Sequence, residues 1–316
     1  MPLSLRAALA CVFSLLFVVG TSRAATVTVD LDRWMYPFAF TGGTRDLAPT
    51  FGAVGTPDFD NRDGQFVIGF DTSSQVPPGQ GAGNYQITSV TVRAMAGSPA
   101  GFEYDPTYDA FRTYLPSTDG EFLADTDAGR PIELHGLGFR NGYTHLSFGA
   151  NNNQPPGFEE SSLFGTQGAG TRNVYPLGFL SAGAGSDISN NVDNRTESHP
   201  WAVGNAALAT GAAVPDNTTF AFKLDLANDD VRSYLQHGLD DGVLGFAITS
   251  MHEAAQAGGP PTPQFVTKEN ARAGSIPAVL EIDYQVIPEP ATIALVVLGA
   301  VIVAPFIGLR RRRARD

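Results

Sequence analysis

Four strings along the chain alternate apolar and polar residues with a period of two: TVTVDL at 26–31, QFVIGF at 65–70, FAFKLDL at 220–226 and AVLEIDY at 278–284. An extended backbone sends successive side chains to opposite faces, so this period predicts strands that bury one face. Apolar runs bounded by Gly, Pro and Asn add further candidates, giving strands at 26–31, 65–70, 85–94, 131–137, 144–148, 219–224, 242–249 and 278–284. One stretch has a different period. In LANDDVRSYLQHGLDDG, Val231, Leu235 and Leu239 recur on one helical face, with Asn228 able to cap the start. Asp229 and Asp230 sit in the favourable first turn, and Gly238 or Gly242 ends the helix.

Composition agrees with a β protein, since 35 Gly, 22 Pro and 21 Phe accompany strands and turns better than helices. The expected fold class is all-β, a β-sandwich closed by one short helix. Clusters of Gly, Pro and Asn at 75–84, 151–157 and 182–194 read as long loops inside one domain. No internal repeat and no charged linker divides the stretch 25–285, which is of a size for one large β domain or two small ones.

The two ends differ from this body. Arg6, the apolar run from Ala7 to Val19, and the small residues Ser22 and Ala24 have the layout of a secretory signal peptide cut after Ala24, so residues 1–24 are expected to be removed. Cys11, the only cysteine, would leave with them, and the mature chain would have neither a disulfide nor a thiolate ligand. At the other end, Ala291 to Leu309 is an uncharged run of 19 residues. As a helix it would be about 28 Å long against a hydrocarbon core of about 30 Å. Arg310, Arg311, Arg312, Arg313 and Arg315 follow it directly and should stay cytoplasmic as a stop-transfer cluster, leaving the body outside the inner membrane.

Charge narrows the partners. The full chain has 20 basic and 32 acidic residues; with residues 1–24 and 291–316 set aside, the stretch 25–290 keeps 13 and 31, a net charge of about −18. Lys223 and Lys268 are its only lysines. Nucleic acid and anionic lipid are bound through clusters of Lys and Arg, so this body excludes both and favours cations.

Pro288, Glu289 and Pro290 stand immediately before the apolar run, and the prolines hold 286–290 extended and exposed to a protease. Pro-Glu-Pro, apolar helix and terminal arginines, in that order, resemble the PEP-CTERM sorting signal over residues 286–316. The resemblance implies recognition at Pro288, Glu289 and Pro290 by exosortase, a membrane-embedded cysteine transpeptidase. It also implies a Gram-negative producer of extracellular polysaccharide and a final place at the cell surface or in the matrix. The body resembles DNRLRE-type jelly-roll domains in two parts. GQFVIGFDTSSQVPPGQGAGNYQITSVTVRA is similar to their Phe-Asp strand, Pro loop and following strand pair, and FAFKLDLANDDVRSYLQHGLDDGVLGFAITS with PQFVTKENARAGSIPAVLEIDY to their closing half. That likeness implies an extracellular module, in some members a carbohydrate binder. Residues 97–180 have no counterpart in it and are expected as a long insertion.

Motifs for catalysis are missing where their chemistry would demand them. No G-x-S-x-G elbow occurs, MHEAAQ places Gln256 where a second zinc-binding histidine would belong, and neither lysine follows a glycine as a Walker loop needs. Paired carboxylates for glycoside cleavage stay open, because 31 acids offer many pairs. Two binding candidates stand out. Asp58, Asp60 and Asp63 in PDFDNRDGQF form an oxygen-rich turn suited to calcium, with SDISNNVDNR (Asp187, Asn190, Asn191, Asp193) as a second. Tyr104, Tyr108 and Tyr114 in FEYDPTYDAFRTYL offer flat rings, beside Asp105 and Asp109, for stacking on a sugar. The body is therefore expected to be a structural or polysaccharide-binding module, with a carbohydrate-active enzyme as the alternative.

Overall fold

The computed structural model describes residues 22–36, 46–55, 60–145, 172–181, 183–253 and 261–287. The signal peptide up to residue 21, Pro288 to Pro290, the apolar run and the terminal arginines lie outside the described residues, as do Asp58 and the loop 151–157. Among the described residues no helix is long and apolar enough to cross a membrane.

Two antiparallel sheets carry the chain. The smaller has the order β1–β14–β5–β11, from β1 (Arg23–Thr28), β14 (Val279–Val286), β5 (Tyr85–Met95) and β11 (Thr219–Lys223). The larger runs β2–β4–β12–β7–β8–β9, from β2 (Leu31–Met35), β4 (Gln65–Asp71), β12 (Val243–Ser250), β7 (Arg130–Phe139), β8 (Val174–Ser181) and β9 (Ala184–Asp187). Short β6 (Tyr104–Asp105) and β10 (Ala202–Val203) add to β7, and β3 (Leu47–Pro49) pairs with β13 (Gln264–Val266) as a separate ribbon. The chain is thus β-rich and built of antiparallel sheets, as the period of two predicts.

Alternation explains the core. Phe66, Ile68 and Phe70 on β4, Ile132 and Leu134 on β7, and Leu244, Phe246 and Ile248 on β12 point one way. They share one buried cluster with Val90, Val92, Phe220, Phe222, Leu280 and Ile282 of the smaller sheet. Burying a large apolar side chain contributes about 1.5–3 kcal/mol, so this inter-sheet layer is the main source of stability. The helix α1 (Asp229–Asp241) links β11 to β12, one strand of each sheet. It starts as predicted, with the Asn228 side chain accepting from the backbone N–H groups of Asp230 and Val231. It ends at Gly242, whose φ of 80° suits glycine. Gly238 instead lies inside the helix, where a Cβ would meet Leu244 Cδ2 at 2.3 Å.

Two expected strands differ in the structure. The string 26–31 is the end of one strand and the start of another: Val29 N–H donates to Ala278 of the smaller sheet and Asp30 N–H to Gly69 of the larger, so the chain changes sheets there. Of the strand expected at 144–148, Thr144 and His145 belong to no strand and the rest lies outside the described residues. Residues 97–180, expected as a long insertion, supply β7, which lies between β12 and β8 inside the larger sheet. Val286 is the last residue of β14, paired with Tyr85, and Ile287 N–H donates to Asn84, so the extended strip expected at 286–290 begins within the sheet.

Candidate functional site

The outer face of the larger sheet, opposite the core, is where the chain concentrates buried charge. On β7, Glu133 and His135 alternate with the core residues Ile132 and Leu134, and so point outward. Neither meets solvent, since the loops at 60–64 and 187–193 fold over them. Arg62 donates through Nη2 to Glu133 Oε2 at 2.5 Å and through Nη1 to Asn191 Oδ1 at 3.1 Å. His135 Nε2 lies 3.3 Å from the same Glu133 oxygen, and Thr249 Oγ1 donates to it at 3.5 Å. Burial alone would raise the Glu133 carboxyl, but Arg62, His135 and Thr249 outweigh it and leave it below its ordinary value. His135 is lowered by burial against the pull of Glu133, which favours neutral imidazole beside a carboxylate already matched by Arg62.

A second guanidinium lies alongside. Arg172 Nε donates to Asp60 Oδ2 at 2.5 Å, and its Nη2 donates to the backbone oxygens of Arg62 and Asp63 at 2.8 and 3.2 Å. Asp63 Oδ1 is 3.9 Å from that nitrogen. Both carboxyls are raised by burial, with Arg172 opposing, and Asp63 is pushed up to about 7. The two oxygen-rich loops also grip each other: Asn61 N–H donates to Asn190 Oδ1, and Asp193 N–H donates to Asn61 Oδ1 at 2.9 Å. The two turns expected to hold calcium are thus engaged with each other and with arginine. Asp58 lies outside the described residues, and Asp60 and Asp63 are buried around Arg172. Guanidinium groups supply the positive charge in a contact between two loops that sequence spacing treats as separate.

The aromatic segment divides in the same way. Tyr104 is 2% exposed, with its ring 6.1 Å from that of Phe220 and its hydroxyl accepting from Ala206 N–H. Tyr114 is also buried and packs with Phe111, Leu115, Val192 and Met251. Neither ring can stack on a sugar, which corrects the expectation for both. Tyr108 is only half-buried. Its hydroxyl donates to Glu197 Oε2 at 2.9 Å and its ring lies 4.5 Å from that of His199, so one of the three expected rings stays at the surface beside polar groups.

Next to Tyr108 in the chain begins a cluster that spacing alone does not reveal. Asp105, Asp109 and Asp127 each bring one carboxylate oxygen within 4.8 Å of the other two. Asp105 is fixed in β6 by parallel pairing with Pro131 of β7. Asp109 precedes the 3-10 turn Phe111–Tyr114 and accepts from Tyr114 Oη at 3.4 Å. Asp127 arrives from the loop before β7, and Thr107 Oγ1 lies 2.6 Å from Asp105 Oδ1 and 2.8 Å from Asp127 Oδ2, with one hydroxyl proton to serve the two carboxylates. Asp105 and Asp109 were legible as acids among aromatics; Asp127 was not, because it is brought in by the β6–β7 pairing.

No known family model matches this chain, and no curated protein aligns with it.

Proposed function

We propose that this chain is an exported envelope protein carrying a PEP-CTERM sorting signal. In this reading it is held in the inner membrane by the apolar helix, cut by an exosortase at Pro288-Glu289-Pro290, and delivered to the cell surface or matrix. The observation that carries the proposal is the tail: a Pro-Glu-Pro element, 19 uncharged residues and five arginines in fixed order. The body's layout is compatible with it. β1 and β14 are neighbours with Arg23 opposite Tyr284, so both sorting elements join the body at one end of one sheet. After a cut behind Ala24, Ala25 would still pair with Ile282, and β1 would keep four of its six residues.

For the body we propose a non-catalytic module of jelly-roll type that serves structure or holds polysaccharide. Glu133, Asp60 and Asp63, buried and matched by arginine, are built for loop cohesion and not for acid–base turnover in an open cleft. Tyr108, with Glu197 and His199, is the ring best placed to meet a sugar.

Fractionation of producing cells with and without their exosortase gene tests the proposal. The body should be released to the surface or medium in the first strain and stay in the inner membrane in the second. Equal distribution in both strains would refute it.

A further inference from the structure

We propose that Asp105, Asp109 and Asp127 form a binding site for a hard divalent cation, calcium in the first place. The proposal is independent of how the chain is sorted. Three separate pieces of chain meet here: β6, the start of the 3-10 turn, and the loop leading into β7. The last approaches closely only because residue 129 is glycine. Its φ is +100°, and a Cβ there would lie 3.1 Å from Asp105 Cβ and from the Glu103 carbonyl oxygen.

The carboxylate of Asp105 points to a missing partner. The residue is 2% exposed, and its Oδ2 has no hydrogen-bond donor among the described residues. Asp109 is almost as deeply buried, at 6%. Among the described residues none of the three carboxylates makes an ion pair, in contrast to Asp60, where Arg172 supplies the charge. The guanidinium of Arg130 lies over the Tyr114 ring at 4.7 Å from its centroid and makes no ion pair with them. An oxygen-only donor set selects calcium or magnesium over the softer metals. Calcium binds oxygens at about 2.3–2.6 Å in flexible geometry, so oxygens up to 4.8 Å apart can share one ion.

Terbium, a luminescent stand-in for calcium, tests the site in the full-length chain purified in mild detergent. Tyr114, bonded to Asp109, and the nearby Tyr108 are positioned to sensitise its emission. The expected results are tyrosine-excited emission that calcium displaces, and a melting temperature higher in calcium than in chelator. Asp109→Asn should abolish both. Asp127 is exposed, so Asp127→Asn should keep the fold by circular dichroism and still weaken binding by about tenfold or more. The proposal is overturned if the wild type shows neither emission nor a calcium-dependent melting shift. It is also overturned if Asp127→Asn, folded, binds as tightly as the wild type; that variant decides the matter should Asp109→Asn fail to fold.

Discussion

Arg62 and Glu133, 71 positions apart in the chain, meet at 2.5 Å on the outer face of the larger sheet, with each side chain 1% exposed. That contact joins the loop before β4 to the middle of β7, and Asn191 on the same guanidinium joins the loop after β9. A sheet face that would otherwise be wet is closed by charge matching, not by apolar packing alone.

Breaking one partner of such a pair leaves the other charge buried and uncompensated, which costs about 3–5 kcal/mol. Glu133→Gln should therefore lower the urea midpoint strongly. The double replacement Arg62→Met with Glu133→Leu should cost less than the sum of its single changes. Independent, additive effects in the cycle would show that the pair does not cohere.

The tyrosines of the aromatic segment should separate by stability. Tyr114→Ala empties a buried position and is expected to cost about 3–5 kcal/mol. Tyr108→Ala removes a half-buried ring with one polar contact and should cost about 1 kcal/mol or less. If polysaccharide binding resides here, affinity electrophoresis should show retardation lost in Tyr108→Ala while its melting curve stays near wild type. Retardation unchanged in that variant would remove Tyr108 from the binding surface.

Stability should be greatest in mildly acidic solution. Asp32 on β2 is 2% exposed, and its carboxyl is raised from 3.8 to about 7, by burial first and by Glu269 beside it, against the Lys268 N–H that donates to it. Between those two values the folded chain holds a proton that the unfolded chain has released, so stability falls as pH rises from about 4 to about 7. Glu133 has the opposite sign. Its lowered value contributes stability above the ordinary carboxylate range that is lost as pH falls through it. Thermal melts from pH 3 to 9 should peak between these limits. Asp32→Asn should flatten the high-pH limb, for a relative gain on the order of 3 kcal/mol at pH 8. A wild-type curve that rises steadily to pH 8 would contradict this.

The elements that carry the sandwich were legible because local pattern and burial agree in them. Phe66, Ile68 and Phe70, or Leu280 and Ile282, alternate and do face the core. Helix α1 was equally plain, since Asn228, the apolar face and Gly242 are all local signals. β8 and β9 were missed because Pro176 and Gly178 interrupt the first and AGSD, with no apolar run, forms the second. Pairing with β7 holds them in place, which no local preference encodes. The same limit applies to the sites. PDFDNRDGQF reads as an oxygen-rich turn suited to calcium until Arg172, over 100 residues later, is placed against Asp60. Tyr104 and Tyr114 read as a surface stripe until β6 and the 3-10 turn bury them.

The mass of the C-terminus in chains recovered from the cell exterior tests the central claim most directly. Peptide mass spectrometry should find wild-type chains ending close to Pro288-Glu289-Pro290, without the apolar run or arginines, while Glu289→Ala chains keep the whole tail through Asp316 and stay with the inner membrane. Intact tails on exported wild-type chains, or the same truncated end in both proteins, would contradict sorting through this motif.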